Sequence, residues 1–329
     1  MINIKEILDE NPIVAAPLAG ISTDAYRALC LNYGCGLVYT EMTSSEAIHY
    51  HNIKTLEMTR IANDNHPIAL QLFGSKPLIM QEAAAFIDKT DADIIDINMG
   101  CPAPKVVKTG AGSALMRDPK KAFEIVRRMK EVTVKPITVK IRLGYSENEK
   151  NYLSFAKGLE EAGASAIAIH GRTRSQMYEG VANWDAIKEV KDALNIPVIG
   201  NGDIRSIEDF FRRKEESGVD GIMIGRGLVG NPFLIKEIDN ALKGKEDINV
   251  TVEERFNACL FHSSRLCKEI GEVPAMRQMR GIAVSYLKGL PQASIFKARC
   301  SSLNTLKELE DLLFEYQNML QDSENSVKV

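Results

Sequence analysis

Cys101 stands in NMGCPAPKV, at the exit of an apolar run, beside Asn98 and Gly100 and followed by Pro102 and Pro104. A thiol of ordinary pKa is mostly protonated at neutral pH, so it can donate a proton, or attack as a nucleophile once ionised. Spacing alone leaves both roles open. A lone cysteine is more often a small buried hydrophobe, and its place at a strand exit is what points to chemistry. Lys140 is the second unusual residue, because it interrupts a strand of Ile, Thr and Val where a lysine is seldom buried without a partner. Arg142 shares its parity, so both cations face one side near the strand end, which suits an anionic or electron-rich ligand. A pair snorkelling on the outer face is the plainer alternative, and helices cover that face in the architecture described next.

Two glycine-rich turns, GNGD at 200–203 and GRG at 225–227, close the last two strand-like runs. Glycine lets the chain approach an anion closely, and this pair of loops commonly forms a phosphate site in parallel barrels. GRGLVG at 225–230 also fits a dinucleotide fingerprint as a string, but no second strand with an acid about 20 residues on follows it. One phosphate here fits a mononucleotide such as FMN.

These residues need a frame, and the chain supplies a repeating one. Eight Val- and Ile-rich runs occupy 13–17, 37–42, 68–74, 93–100, 137–144, 166–172, 197–203 and 221–227, each followed by a helical stretch. Thr23 or Ser22 can cap a helix that Gly34 ends, Pro119 can open another, and Asn183 can cap a third. The count predicts an α/β fold, a (β/α)8 TIM barrel. Polar residues collect at the ends of the runs: Glu41, Gln71, Asn98, Lys140 with Arg142, His170 with Arg172, Asn201 with Asp203, and Arg226. That placement favours a barrel over a doubly wound sheet. Beyond about residue 240 the pattern turns helical, so residues 1–244 are expected to form the barrel and 245–329 a small all-α domain, joined by KGKEDINV, with QDSENSVKV frayed at the end.

Composition narrows the function. There are 329 residues with 45% hydrophobic content, and neither a signal-like start nor a run long enough to span a bilayer, so a cytoplasmic protein without a membrane partner is expected. Six cysteines in no paired spacing are expected as free thiols, those at 30, 35, 259, 267 and 300 being structural. No metal is expected, since His49 and His51 would point to different faces of a helix. The net charge of −3 argues against nucleic acid, but Arg255, Arg265, Lys268, Arg277, Arg280, Lys288, Lys297 and Arg299 face only Glu269 and Glu272 within their segment. Such a segment can attract phosphates, or be a solvated basic helix face.

APLAG (16–20), EMTSSEA (41–47), LQLFGS (70–75), DINMGCPAPKV (96–106), AGSALM (111–116), VKIRLG (139–144), IHGRTR (169–174), GNGDI (200–204) and MIGRGLVGNP (223–232) together resemble the bacterial tRNA-dihydrouridine synthases, most of all their B-type branch. The strings occur in the family's order across the whole expected barrel. The resemblance implies an FMN-binding barrel, a helical domain that helps hold tRNA, and NADPH or NADH as reductant. It places Pro17, Leu18 and Ala19 against the flavin through backbone contacts, Gln71 and Lys140 at its polar edge with His170 close by, and Asn201, Gly202, Asp203, Gly225 and Arg226 at its ribityl and phosphate. Cys101 matches the proton donor and Asn98 the residue that holds the target uracil; Arg142 and Arg172 are assigned to the substrate beside it. Leu18 stands where the family usually has Met, and Gly281 and Ile282 stand where its branch has basic residues. The implied reaction reduces the C5–C6 bond of uridines in tRNA, by a single chain acting as a monomer. The rivals are a barrel flavoenzyme acting on a free pyrimidine, as dihydroorotate dehydrogenases do, and a non-catalytic RNA-binding protein.

Overall fold

The computed structural model describes residues 2–246 and 249–327. Its strands are β1 (Ile13–Ala15), β2 (Val38–Tyr39), β3 (Thr43–Ser44), β4 (Ile68–Phe73), β5 (Ile94–Asn98), β6 (Ile137–Arg142), β7 (Ala166–His170), β8 (Val198–Asn201) and β9 (Gly221–Ile224). Every pairing is parallel, in the order β1-β9-β8-β7-β6-β5-β4-β2, with β3 beside β4. A parallel bridge from Val14 to Leu37 joins the two ends, and Ala15 N donates to Leu37 O at 2.9 Å. The result is the expected TIM-barrel architecture. Each expected run is trimmed at its C-terminal end, and 37–42 breaks after Tyr39, so that Thr43–Ser44 pairs separately.

Both faces of the strands are covered, which is why they read as apolar runs rather than alternating ones. On β5 all five residues are buried, Ile94, Asp96 and Asn98 sharing one parity and Ile95 and Ile97 the other. Ile94 packs with Val14, Tyr39, Ala69, Ala166, Ala168, Ile199 and Met223 into an apolar plug inside the barrel. Above it the register stacks polar residues in tiers. Gln71, Asp96 and Thr138 are aligned across β4, β5 and β6, Asn98 aligns with Lys140, and Arg142, His170 and Asn201 align across β6, β7 and β8.

The helices follow their predicted caps. Thr23 accepts from Tyr26 N, Pro119 opens Pro119–Lys130, and Asn183 accepts from Ala186 N. His49 ends a short helix and bonds Glu82, while His51 leaves helical geometry with φ 52°.

Contacts divide the chain into two units, residues 1–22 with 35–227, and 23–34 with 228–329. The expected division at 244/245 differs from this one in two places, the helices Asp24–Asn32 and Phe233–Leu242. Ala25, Leu29 and Phe233 belong to the core of the helical unit, with Phe256, Met276, Met279, Leu309 and Tyr316, and that apolar packing draws their helices into it. Asp247 and Ile248, within the expected linker, lie outside the described residues. Helix Leu306–Val327 runs through most of the stretch expected to fray, after burying Leu313, Tyr316 and Leu320 upstream of it; Lys328 and Val329 lie outside the described residues.

Candidate active site

One cleft at the C-terminal ends of the strands gathers Cys101, Pro17, Leu18, Ala19, Gln71, Lys140, His170, Asn201, Gly202, Asp203, Gly225, Arg226, Asn98, Arg142 and Arg172. Every residue assigned from sequence to catalysis, cofactor or substrate is therefore in one place. Glu41 is the exception among the strand-end polar groups; its carboxylate accepts from Gly20 N at 2.6 Å and is not part of the cleft lining, where Met42 stands instead.

The floor is a chain of hydrogen bonds. Cys101 N donates to Asn98 Oδ1 at 2.8 Å, and Gly100 N donates to the same oxygen at 3.2 Å. Asn98 Nδ2 donates to Gln71 Oε1 at 2.8 Å, and Gln71 Nε2 to Asp96 Oδ2 at 2.7 Å. Thr138 Oγ1 donates to the other Asp96 oxygen at 2.6 Å. Burial pushes the Asp96 carboxyl up to about 7, opposed by its hydrogen bonds from Thr138 and Gln71 and by the charge of Lys140.

Cys101 is clamped on both sides of its Cα. Its carbonyl accepts from Ser113 N at 3.1 Å and Ser113 Oγ at 2.9 Å. Gly112 makes that approach possible: it has φ +60°, and a Cβ there would stand 2.9 Å from Cys101 O. The thiol itself is half-buried and free.

Cations surround this floor. Lys140 Nζ donates to Asn201 Oδ1 at 3.2 Å, and Asn201 Nδ2 donates to Met223 O at 2.7 Å. Burial and the charge of Arg142 bring Lys140 down to about 8. His170 is held well below the usual histidine range by burial and by Lys140, Arg142, Arg172 and Arg226, so it is neutral. Its Nε2 lies 3.5 Å from Arg172 Nη1, a donor without acceptor capacity, which makes Nε2 the unprotonated nitrogen.

The two arginines assigned to the substrate line the cleft, but most of their donors are engaged by the protein. Arg142 reaches Gly100 O at 2.8 Å, Thr173 O at 2.8 Å and Met177 O at 2.9 Å, tying the cysteine loop to the segment after β7. Arg172 donates to Glu179 O, Gly180 O and Asp203 Oδ2, the last at 2.7 Å. Asp203 sits at φ 55° and also accepts from Ala182 N. Both arginines thus hold the segment that carries Tyr178, whose ring lies 4.6 Å from the Arg226 guanidinium. Across the cleft, the loop after β9 presses on the one after β8, where a Cβ on Gly227 would stand 2.4 Å from Ile204 O.

Asp96, Thr138, Ser113 and Tyr178 escaped the sequence reading. Asp96 carried a legible sign, since a charged residue in an apolar strand singled out Lys140 by the same logic. Nothing in the sequence marked Tyr178.

In the helical unit the basic segment divides. Arg299 pairs with Glu315, Arg265 with Asp24, Arg280 donates to Leu303 O and Asn304 Oδ1, and Arg255 to Lys288 O. Lys268, Arg277 and Lys288 are exposed. Ile282 is buried in the core, so no basic residue could face solvent there without repacking, and Tyr286 is buried against His262 Nδ1 at 3.0 Å. No helix among the described residues is long and apolar enough to cross a membrane.

A family model described as dihydrouridine synthase matches residues 13–323. A probable tRNA-dihydrouridine synthase of Rickettsia conorii is 37% identical over 98% of this chain and 98% of its own length. A tRNA-dihydrouridine synthase B of Vibrio cholerae is 38% identical over 93% and 96%, and one of Pasteurella multocida 38% identical over 97% of each chain. Among solved structures, histamine dehydrogenase from Rhizobium sp. 4-9 superposes with TM-score 0.54 at 13% identity over 80% of this chain and 51% of that one. A variant of NCR from Zymomonas mobilis superposes with TM-score 0.51 at 16% identity over 74% and 90%. At those identities the two structures speak for the fold alone.

If Arg172 serves as the brace seen here, Arg172→Ala leaves Asp203 without its cation and is expected to destabilise the protein by about 3 kcal/mol. Arg172→Lys should restore only part of that, because an ammonium cannot fork to several carbonyls. Urea unfolding measures both, and a loss of under about 1 kcal/mol for the alanine variant would return Arg172 to a purely ligand-facing role.

Proposed function

The chain belongs to the dihydrouridine synthase family, and from that premise we propose that it is a flavin-dependent oxidoreductase that reduces the C5–C6 double bond of uridines in tRNA, with Cys101 as the proton donor. The observation that carries the reading is the convergence of Cys101, Asn98 and Lys140 in one cleft beside two glycine-rich loops. Family membership and the basic surface of the helical unit set it apart from an enzyme of free pyrimidines, and the assembled cleft from a protein that only binds RNA.

The cleft suits FMN. Its donors are cationic, Lys140 and Arg226 among them, and Gly227 lets the loops after β8 and β9 meet closely enough to form one anion-facing wall. Gln71 and Lys140 would hold the polar edge of the ring with His170 near them. The backbone at Pro17, Leu18 and Ala19 would lie along it, and Asn201, Gly202, Asp203, Gly225 and Arg226 would take the ribityl and phosphate. When bound, the flavin supplies the hydride that reaches uracil C6, having accepted it from NADPH or NADH.

As C6 gains that hydride, negative charge builds toward C5 and O4 of the base. Cys101 donates its thiol proton to C5, and the thiolate recovers a proton from solvent. Asn98 offers an N–H to the base, while Asn98, Ser113 and Arg142 keep the cysteine loop in place. A uracil within folded tRNA must be unstacked first, which draws on the energy of RNA binding. Lys268, Arg277 and Lys288 are exposed cations of the basic segment that can meet RNA phosphates. Action as a monomer, in the cytoplasm where tRNA would be met, completes the proposal.

Denaturation should release FMN, and apoprotein should bind FMN most tightly below pH 8. Lys140 sits near 8 in the free cleft and is raised by an electron-rich ring, so affinity is full where the ammonium persists and falls as pH rises past that value. Lys140→Met should weaken binding and remove the fall. Recovered FAD, or a pH-independent wild type, would contradict the assignment.

For Cys101, single-turnover flavin absorbance separates the two half-reactions. In Cys101→Ala, bleaching by NADPH should keep its rate, and reoxidation by tRNA should slow about 100-fold or more, with little rescue by serine. Equal slowing of both halves, or of neither, would remove Cys101 from the proton transfer.

A further inference from the structure

The hydrogen bonds beneath the cleft all run in one direction. Asn98 Oδ1 accepts two backbone N–H groups, from Gly100 and Cys101, so its Nδ2 must be the donor that meets Gln71. Gln71 therefore presents Oε1 upward and Nε2 downward, and whatever lies under it must accept. Thr138 points its hydroxyl proton at the same group from the next strand. An ionised carboxylate meets that need, accepting from both sides and donating to neither.

Asp96 is that carboxylate. It is fully buried and makes no salt bridge among the described residues. A buried acid without an ion pair is costly, and an apolar residue would fill the barrel interior at lower cost. Its place in the chain supplies a reason for it. We propose that Asp96 is a positioning residue, the terminal acceptor that fixes the donor and acceptor faces of Gln71 and Asn98 and so holds the Cys101 loop and the base-reading amide in register.

A consequence for the base follows. The second N–H of Asn98 meets only the weakly accepting Met42 Sδ, at 3.9 Å, so the amide can offer a donor to a ligand. A carbonyl such as uracil O4 satisfies it, whereas the amino group of cytosine would set donor against donor. Without an acceptor at the bottom, Gln71 can reverse. Its amide would then face that of Asn98 donor to donor, and a reversed Asn98 would release the backbone of Gly100 and Cys101.

This role rests on the uridine-reducing reading for its catalytic consequence but not for its structural one, and the tests are chosen accordingly. Asp96→Asn can still accept from Gln71 through Oδ1 while donating to the Thr138 hydroxyl; Asp96→Leu can accept from nothing. In FMN-free protein, alkylation of Cys101 by iodoacetamide, read by peptide mass spectrometry, should be about fivefold faster in Asp96→Leu, the scale of one lost hydrogen bond, and near the wild-type rate in Asp96→Asn. In the FMN-loaded protein, Asp96→Leu should lose about 100-fold in reoxidation by tRNA, as a displaced proton donor would, and far less in bleaching by NADPH, which needs no proton from Cys101. Should Asp96→Leu fail to fold, Gln71→Leu cuts the chain one link higher and carries the same expectation for alkylation. Unchanged alkylation in the leucine variants, or an asparagine variant as impaired as leucine, would overturn the proposal. Absence of tRNA reduction by the wild-type protein would instead count against the reaction, with alkylation still reporting on the chain.

Discussion

The contact between Gln71 and the buried carboxylate of Asp96 is where the interior of the barrel changes from apolar to polar. Below it, Ile94, Ala166, Ile199 and their neighbours form a plug that excludes water. Above it, each polar side chain must find its partner on the next strand, because a parallel barrel offers no solvent there. Register supplies those partners: Gln71, Asp96 and Thr138 are aligned neighbours, and Asn98 lies one tier up beside Lys140. The position of the Cys101 backbone is thus set by strand pairing, which is more rigid than any loop.

The cation cluster is arranged by the same economy. Arg142 and Arg172 bring charge to the cleft while their donors brace backbone carbonyls after β7, so the electropositive field and the shape of the mouth come from the same two side chains. Arg172 also keeps Asp203 in a left-handed conformation that few residues adopt readily, next to a glycine-rich loop proposed for the ribityl chain. Lys140 differs from both. Its one hydrogen bond among the described residues, to Asn201, leaves ammonium protons for a ligand, and burial beside Arg142 lowers its pKa in the free cleft.

Much of this was legible beforehand, for identifiable reasons. The eight apolar runs and the break to helical periodicity follow from burial on both faces of a parallel sheet, and Lys140 stood out because a charge in such a run needs a partner. The roles of Arg142 and Arg172 were less legible, because sequence shows a cation but not whether its donors are already taken by backbone. The unit boundary was less legible, because helices 24–32 and 233–242 join the helical unit through contacts distant in sequence, such as Leu29 and Phe233 in its core. Asp96 was legible by the logic that marked Lys140, a charge within the apolar run DIIDINMG five positions before Cys101.

The central claim is that this cleft reduces uridine in tRNA by a proton from Cys101. Its most direct measurement is quantitative mass spectrometry of dihydrouridine, mapped by position, in tRNA from cells without the gene and from the same cells given back the wild-type or Cys101→Ala protein. The account predicts that defined positions lose dihydrouridine, regain it with the wild type, and stay unmodified with the alanine variant. Dihydrouridine unchanged by loss of the gene in cells that lack a second such enzyme, or restored in full by Cys101→Ala, would contradict it.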